Sequence, residues 1–399
     1  MPHYRYLIIG GGMTADAAAG GIREVDPIGT IGLIGAEMDP PYNRPPLTKG
    51  LWKGDELESV WRHTTDEGVV RHLGRRAQSL DSANKRVVDD QGTTYTYEQC
   101  LLATGGTPRT LPFGGDQVIY YRTLETYRLL RALTDQRQRF AVIGGGFIGS
   151  EIAAALAMNG KQVTMLFPEA GVCARVFPED LVRFLNDYYR QKGVEMLTGA
   201  SVVGIEARQE RLAVQARHSV GAEAQEYVVD GVIAGLGIRP NVELAQAAGL
   251  AVDNGILVDE LMRTSNSSIF AAGDVAAFVN PTLGKRMRVE HEDNANTMGM
   301  RAGHTMAGRA DPYTYLPFFY SDLFDLGYEA VGELDSRLET VADWKDPFHE
   351  GVVYYLRDGR VRGVLLWNVW EQVEAARRLI AEPGPFRAAD LKGRLPAAT

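Results

Sequence analysis

The chain has 399 residues, a formal net charge of −9 and 45% hydrophobic residues. Its length supports two or three domains with separate cores, and its acidic balance excludes nucleic acid or an anionic membrane surface as an expected partner. No apolar run approaches the length of a transmembrane helix, and the first predicted strand begins almost at once, so the expected address is cytoplasmic without a secretory or transit peptide.

In chain order, the apolar run Tyr4-Arg5-Tyr6-Leu7-Ile8-Ile9 enters the turn Gly10-Gly11-Gly12-Met13-Thr14-Ala15. Residues 15–24 then read as a helix and residues 29–34 as a strand, with Glu37 just beyond it. A tight glycine turn lets backbone N–H groups approach a pyrophosphate, and the helix that follows points its positive end at the same charge. A carboxylate past the next strand can accept bonds from ribose hydroxyls. This first unit ends on Leu101-Leu102-Ala103-Thr104-Gly105-Gly106.

The pattern then repeats. Phe140-Ala141-Val142-Ile143 leads into Gly144-Gly145-Gly146-Phe147-Ile148-Gly149. Residues 148–159 are expected to be helical, Gly160 stops them, 162–167 form the next strand, and Glu169 follows. One glycine turn alone could merely pack a helix on a sheet. Two complete units point to two dinucleotides and to an enzyme that moves electrons between them. The second unit closes on Val232-Ile233-Ala234-Gly235-Leu236-Gly237, and Ser268-Ile269-Phe270-Ala271-Ala272-Gly273-Asp274 is expected to return the chain to the first domain.

Near the C-terminus, the runs 352–356 and 361–366 flank Asp358-Gly359, a strong hairpin signal, and 374–380 read as a closing helix. The expected class is therefore α/β: two Rossmann-like dinucleotide-binding domains, one inserted in the other, plus a C-terminal α+β domain. The boundaries are 1–112 with 241–312 for the discontinuous first domain, 113–240 for the inserted one and 313–399 for the last. The two cysteines, Cys100 and Cys173, form no closely spaced pair, so a redox disulfide is not expected. Cys100 reads as core, while Cys173, just after a strand, is expected to be partly exposed.

Further strings carry a family likeness. They are Pro41-Tyr42-Asn43-Arg44-Pro45-Pro46-Leu47-Thr48-Lys49, Ala103-Thr104-Gly105-Gly106-Thr107-Pro108-Arg109, Ala271-Ala272-Gly273-Asp274, Leu166-Phe167-Pro168-Glu169, Arg288-Val289-Glu290-His291 and Gly327-Tyr328-Glu329-Ala330-Val331-Gly332. Tyr355-Leu356-Arg357-Asp358 and Leu366-Trp367-Asn368 extend them. Together they resemble the two-dinucleotide FAD/NAD(P)H reductases, more narrowly the ferredoxin reductases and apoptosis-inducing factor, over nearly the whole chain.

The resemblance implies FAD in the first domain and NADH, ahead of NADPH, in the second. Gly10, Gly12 and Ala15 would hold the FAD pyrophosphate, with Met13 and Thr14 as further cofactor-binding residues. Glu37 would take the adenosine ribose, shifted by one because Ala36 stands where apoptosis-inducing factor has Glu. Arg44, Lys49, Ala77, Thr104, Gly105 and Arg122 would contact FAD, and Gly273 and Asp274 its ribityl chain. Lys49 and Glu151 would form an ion pair beside flavin N5, with Glu290 and His291 at the flavin–nicotinamide end; Lys49, Glu151 and His291 are the catalytic candidates. Gly146, Ile148, Gly149 and Gly237 would cradle NADH, and Phe147 would lie over the flavin and move when NADH stacks. Glu169 would repel a 2′-phosphate, whereas Arg175 could accept one. Tyr320, where apoptosis-inducing factor has Trp, and Glu329 and Asn368 match nicotinamide-side positions. The cluster Glu290-His291-Glu292-Asp293 lacks a further His or Cys nearby, and no metal site is expected.

The implied reaction is hydride transfer from NADH C4 to flavin N5, then electron delivery to a ferredoxin, rubredoxin, quinone or oxygen. Another reading is an NADH sensor that forms a long-lived charge-transfer complex and acts through redox-dependent homodimerisation.

Overall fold

A computed structural model describes residues 1–63, 68–218, 221 and 223–395. Two units contain these residues: Met1–Arg44, Glu56–Thr107 and Arg239–Phe318 in the first, and Pro45–Asp55, Pro108–Ile238 and Phe319–Thr399 in the second.

In the first unit, His3–Ile9 is hydrogen-bonded in parallel to Ile31–Gly35 on one side and to Thr94–Leu102 on the other. Val69–Leu73 extends one edge in parallel, and Arg86–Asp89 with Ala77–Asp81 extends the other as an antiparallel pair. Ile269–Ala271 also joins Thr94–Leu102 in parallel, so the strand that leads toward Gly273-Asp274 lies in the first sheet. Leu7, Ile8, Leu33, Leu101 and Leu102 are fully buried, as expected for parallel strands covered on both faces.

One covering layer is unusually close. The helices Met13–Val25 and Glu292–Met306 meet through glycines: a Cβ at Gly21 would lie 2.2 Å from Met300 O, and one at Gly303 2.2 Å from Ala18 O. At that separation a side chain has no room, so glycine here serves backbone approach rather than a turn. His304 ties the same layer down, with Nδ1 2.9 Å from Asp311 Oδ2 and Nε2 2.8 Å from Glu24 Oε2.

The second unit holds a five-stranded parallel sheet in the order Val194–Thr198, Gln162–Phe167, Arg139–Ile143, Gly231–Ala234, Val118–Tyr120. It also holds an antiparallel sheet in the order Phe318–Leu323, Leu326–Gly332, Arg360–Trp367, Glu350–Arg357, Glu339–Asp346, of which Phe318 belongs to the first unit. Asp358 and Gly359 join its central hairpin with φ of 53° and 71°, the left-handed pair that an Asp-Gly turn supplies. The helix Val373–Ala381 follows. The fold is thus α/β, with two glycine-turn sheets and a C-terminal antiparallel sheet.

The helices start earlier than the sequence pattern indicates, at Met13 and Phe147, because each opens directly on the last glycine of its turn. The three-stranded layer Ser201–Arg208, Arg211–Arg217, Gln225–Val229 has no counterpart in the sequence reading. No helix among the described residues is long and apolar enough to cross a membrane.

One expectation is corrected. Cys173 is buried, not partly exposed. Its N–H donates to Gly145 O at 2.8 Å, and Asn186 holds the preceding loop through Val172 N and Ala170 O. The loop after the strand therefore folds back on the glycine turn, and burial pushes the Cys173 thiol up to about 12. Cys100 is core, with its thiol also raised by burial.

Candidate functional site

In the first unit Gly10 has φ of 136°, and a Cβ there would lie 2.1 Å from Ala103 O. Gly12 has the opposite surroundings: a Cβ would meet nothing within 4 Å. Gly12 is also the N-cap of Met13–Val25, and no side chain caps that helix among the described residues. An uncapped helix N-terminus behind an open glycine is the cradle a pyrophosphate requires. Met13, Thr14 and Ala15 are buried in its first turn.

Glu37, past the second strand, is held at the side of this turn. Arg44 Nη2 donates to its Oε1 at 2.5 Å and Tyr42 OH to its Oε2 at 2.6 Å. Arg44 thus reaches the site through Glu37, and its guanidinium lies 5.0 Å from the Tyr42 ring centroid. Sequence reasoning missed a second acid–arginine pair, whose acid lies on the Met13–Val25 helix. Asp16 is fully buried and accepts from Arg62 Nε at 2.6 Å, while Arg62 also donates to Asn43 at 2.8 Å. Helical spacing places Asp16 one turn after Gly12, but its partner 46 residues away left no local signal.

Thr104 and Gly105 are fixed by Asn241, also missed: Thr104 Oγ1 donates to Asn241 O, Asn241 Nδ2 donates to Thr104 O, and Asn241 N donates to Gly105 O. Ala77 begins the outermost antiparallel strand. Asp274 is the middle residue of the single 3-10 turn Gly273–Val275, so it does not cap an α-helix. Arg288 donates to Asp274 O at 3.0 Å and pairs with Glu290 at 2.6 Å, and its buried Nε finds no partner among the described residues. Burial lowers the His291 imidazole to about 4, with nearby Asp274 opposing, which leaves it neutral at pH 7.

The second unit repeats the glycine logic. Gly144 has φ of 112° and a Cβ there would lie 2.4 Å from Gly235 O, whereas Gly146, N-cap of Phe147–Met158, faces open space without a side-chain cap. Gly149 packs against the turn, since its Cβ would lie 1.9 Å from Gly144 O. Ile148 is 40% exposed. Glu169 pairs with Arg175 at 2.6 Å, so the carboxylate and the rival cation of the sequence reading are in contact. Gly237, with φ of 77°, accepts from Arg109 N. Arg122 immediately precedes the capping box of Leu124–Gln136, in this unit.

Lys49 and Glu151 also fall in the second unit and are in contact, Nζ to Oε1 at 2.6 Å. Glu151 is 5% exposed and receives two more donors: Thr48 Oγ1 to Oε2 at 2.5 Å and Ser321 Oγ to Oε1 at 2.5 Å. Lys49 Nζ lies 5.2 Å from the Tyr320 ring centroid, and the Phe147 and Phe319 rings are 5.0 Å apart. Thr48 stands in a quoted string without a role there, and nothing in the sequence marks Ser321.

Two further candidates lie on the C-terminal sheet. Burial raises the Glu329 carboxyl, Arg377 opposing, and its Oε2 has no hydrogen-bond partner among the described residues. The Asn368 amide is engaged with backbone, accepting from Gly327 N at 2.7 Å and donating to His349 O at 2.8 Å. Among the described residues no cluster of His, Cys, Asp and Glu could hold a metal.

Residues 4–299 match the pyridine nucleotide-disulphide oxidoreductase family, and residues 302–347 and 342–382 match the C-terminal region of mitochondrion-associated apoptosis-inducing factor. The chain is 35% identical to the ferredoxin–NAD(+) reductase component of an anthranilate 1,2-dioxygenase system from Burkholderia cepacia, over 96% of this chain and 97% of that protein. It is 34% identical to apoptosis-inducing factor 1, mitochondrial, of Dictyostelium discoideum, over 94% and 78%. The structure of a covalent putidaredoxin reductase–putidaredoxin complex superposes with a TM-score of 0.89 at 29% identity, covering 98% of this chain and 95% of that one.

Proposed function

This chain belongs to the pyridine nucleotide-disulphide oxidoreductase family, and from that premise we propose that it is an NADH-dependent reductase for a small iron–sulfur protein of ferredoxin type. It is an FAD-dependent oxidoreductase that uses NAD(H). The two open, uncapped glycine turns fit two dinucleotides. We assign FAD to the turn at Gly12 in the first unit and NADH to the turn at Gly146 in the second. FAD held there would supply a two-electron acceptor for hydride and a one-electron donor for a carrier.

The observation that carries this reading is the pairing of those two turns with an absence of usable thiols. Cys100 and Cys173 are both buried and unpaired to each other, with thiols raised by burial. Electrons therefore leave without a redox disulfide. The chain's own residues do the rest. Glu37, oriented by Arg44 and Tyr42, holds a ribose; Glu169 faces the other and disfavours a 2′-phosphate; Lys49, paired with Glu151, presents a cation to the flavin. Neutral His291 can donate or accept a hydrogen bond without adding charge. A cytoplasmic address and a homodimeric state complete the proposal.

The experiment is anaerobic titration with NADH, then NADPH, followed by an added ferredoxin. Bleaching by NADH with rapid recovery on ferredoxin supports the proposal. A second reading, an NADH-responsive sensor, is favoured by the match to the apoptosis-inducing factor C-terminal region. A persistent long-wavelength band with slow reoxidation and NADH-dependent dimerisation would move the assignment there.

A further inference from the structure

The segment from Phe319 to Leu323 alternates strictly in its environment. Ser321 and Leu323 are buried, whereas Tyr320 is 37% exposed and the Asp322 side chain 33%. Each face of this strand meets a different partner at a matching spacing. On one face, Phe319 and Ser321 meet Phe147 and Glu151. On the other, Tyr320 and Asp322 meet Lys49 and Lys53, the latter at 3.0 Å. Two residues along a strand advance about 6.7 Å, and four residues along a helix about 6 Å. Residues i and i+2 of the strand can therefore match residues i and i+4 on both sides at once.

We propose that this strand is a two-sided ruler that sets the geometry of the Lys49–Glu151 pair, with Ser321 and Thr48 as its positioning residues. Ser321 brings the strand's buried face to Glu151 Oε1, beside the Lys49 ammonium, and Thr48 fixes the other carboxylate oxygen. Hydroxyl and ammonium both donate, so the Glu151 carboxylate is the acceptor in all three bonds. Its orientation is then determined from three directions, and Lys49 cannot follow it elsewhere. Tyr320 and the anchored Lys53 confine Lys49 from the strand's other face. This inference rests on the reading that Lys49 faces the flavin.

Holoenzyme variants Thr48→Val and Ser321→Ala test it, with Thr48→Ser as the conservative control and Lys49→Met as the reference. A hydrogen bond to a charged group is worth roughly tenfold in an equilibrium or a rate. Thr48→Val and Ser321→Ala should each slow flavin reduction at saturating NADH by about tenfold, with half-saturation changed less than about twofold. Both should shift the flavin reduction potential negative, because the cation is less well placed, and Thr48→Ser should restore rate and potential. If Ser321→Ala loses FAD, Ser321→Cys keeps the volume with a weaker donor and is measured instead. Wild-type rate and potential in both loss variants, alongside a clear change in Lys49→Met, would overturn the ruler while leaving the Lys49 reading intact. No change in Lys49→Met would remove that reading and the inference with it.

Discussion

The two glycine turns are near copies in backbone and opposites in setting. In each, the first glycine has a positive φ and touches the backbone of a neighbouring strand end, while the third faces open space at a helix N-terminus. Around Gly12, however, Met13, Thr14 and Asp16 are buried, and Glu37 is held by two partners. Around Gly146 the helix exposes Ile148, and Glu169 is held by an Arg175 side chain that is 83% exposed. Four residues beyond the third glycine the first helix carries Asp16, paired with Arg62; the second carries the uncharged Ser150, whose hydroxyl donates to Phe147 O and whose backbone O accepts from Tyr189 OH. The same local device is closed and charge-locked in one unit and open in the other. That difference suits a retained cofactor at the first turn and an exchanging one at the second.

The largest test removes the lock. Asp16→Ala leaves the Arg62 charge without its partner beside a buried site and should cost about 3 kcal/mol in urea unfolding. Ser150→Ala, its counterpart, should cost about 1 kcal/mol or less. Equal losses would mean that the charge lock does not distinguish the turns.

Next come the open glycines. Gly12 and Gly146 have extended φ values of −99° and −82°, which alanine tolerates, and each faces space. Gly12→Ala should purify without FAD, and Gly146→Ala should retain FAD but weaken NADH binding by about tenfold, a steric loss of roughly 1.4 kcal/mol. Their apoprotein melting temperatures should stay close to that of the parent. A Gly12→Ala protein that keeps full FAD would break the assignment of cofactors to turns.

A smaller effect sharpens the second turn. Replacing Glu169 by Ala frees Arg175 to meet a 2′-phosphate, so the preference for NADH over NADPH should fall by about fivefold, as expected for an exposed charge. The measurement is the ratio of kcat/KM for the two nucleotides.

A last test concerns pH at the first unit. His291 is lowered to about 4 by burial, so between that value and the ordinary 6.5 the unfolded chain binds a proton that the folded chain does not. Stability from this group is complete above pH 6.5 and declines as pH falls toward 4. His291→Gln should flatten that part of the stability profile; an unchanged slope would assign the acid loss to other groups.

Much of the fold was legible because its signals are local. Both glycine turns, the strands before them and the Asp358-Gly359 hairpin depend on residues adjacent in sequence, and each took the predicted form. Cys173 was misread because following a strand says nothing about whether the next loop folds back. Asn241 was missed although it binds Thr104 and Gly105, since an asparagine beside a proline reads as an ordinary turn.

By itself the sequence determined the α/β class, the two dinucleotide turns and the lack of a cysteine pair, since left-handed glycine, apolar runs and residue spacing are properties of short segments. Only the tertiary structure decided which side chains answer one another. Glu151 takes its donors from Thr48 and Lys49, 103 and 102 residues earlier, and Ser321, 170 residues later. Asp16 takes Arg62 rather than any nearer cation. A buried charge must be matched by whatever donors the packing brings within about 3 Å, and sequence distance has no part in that choice.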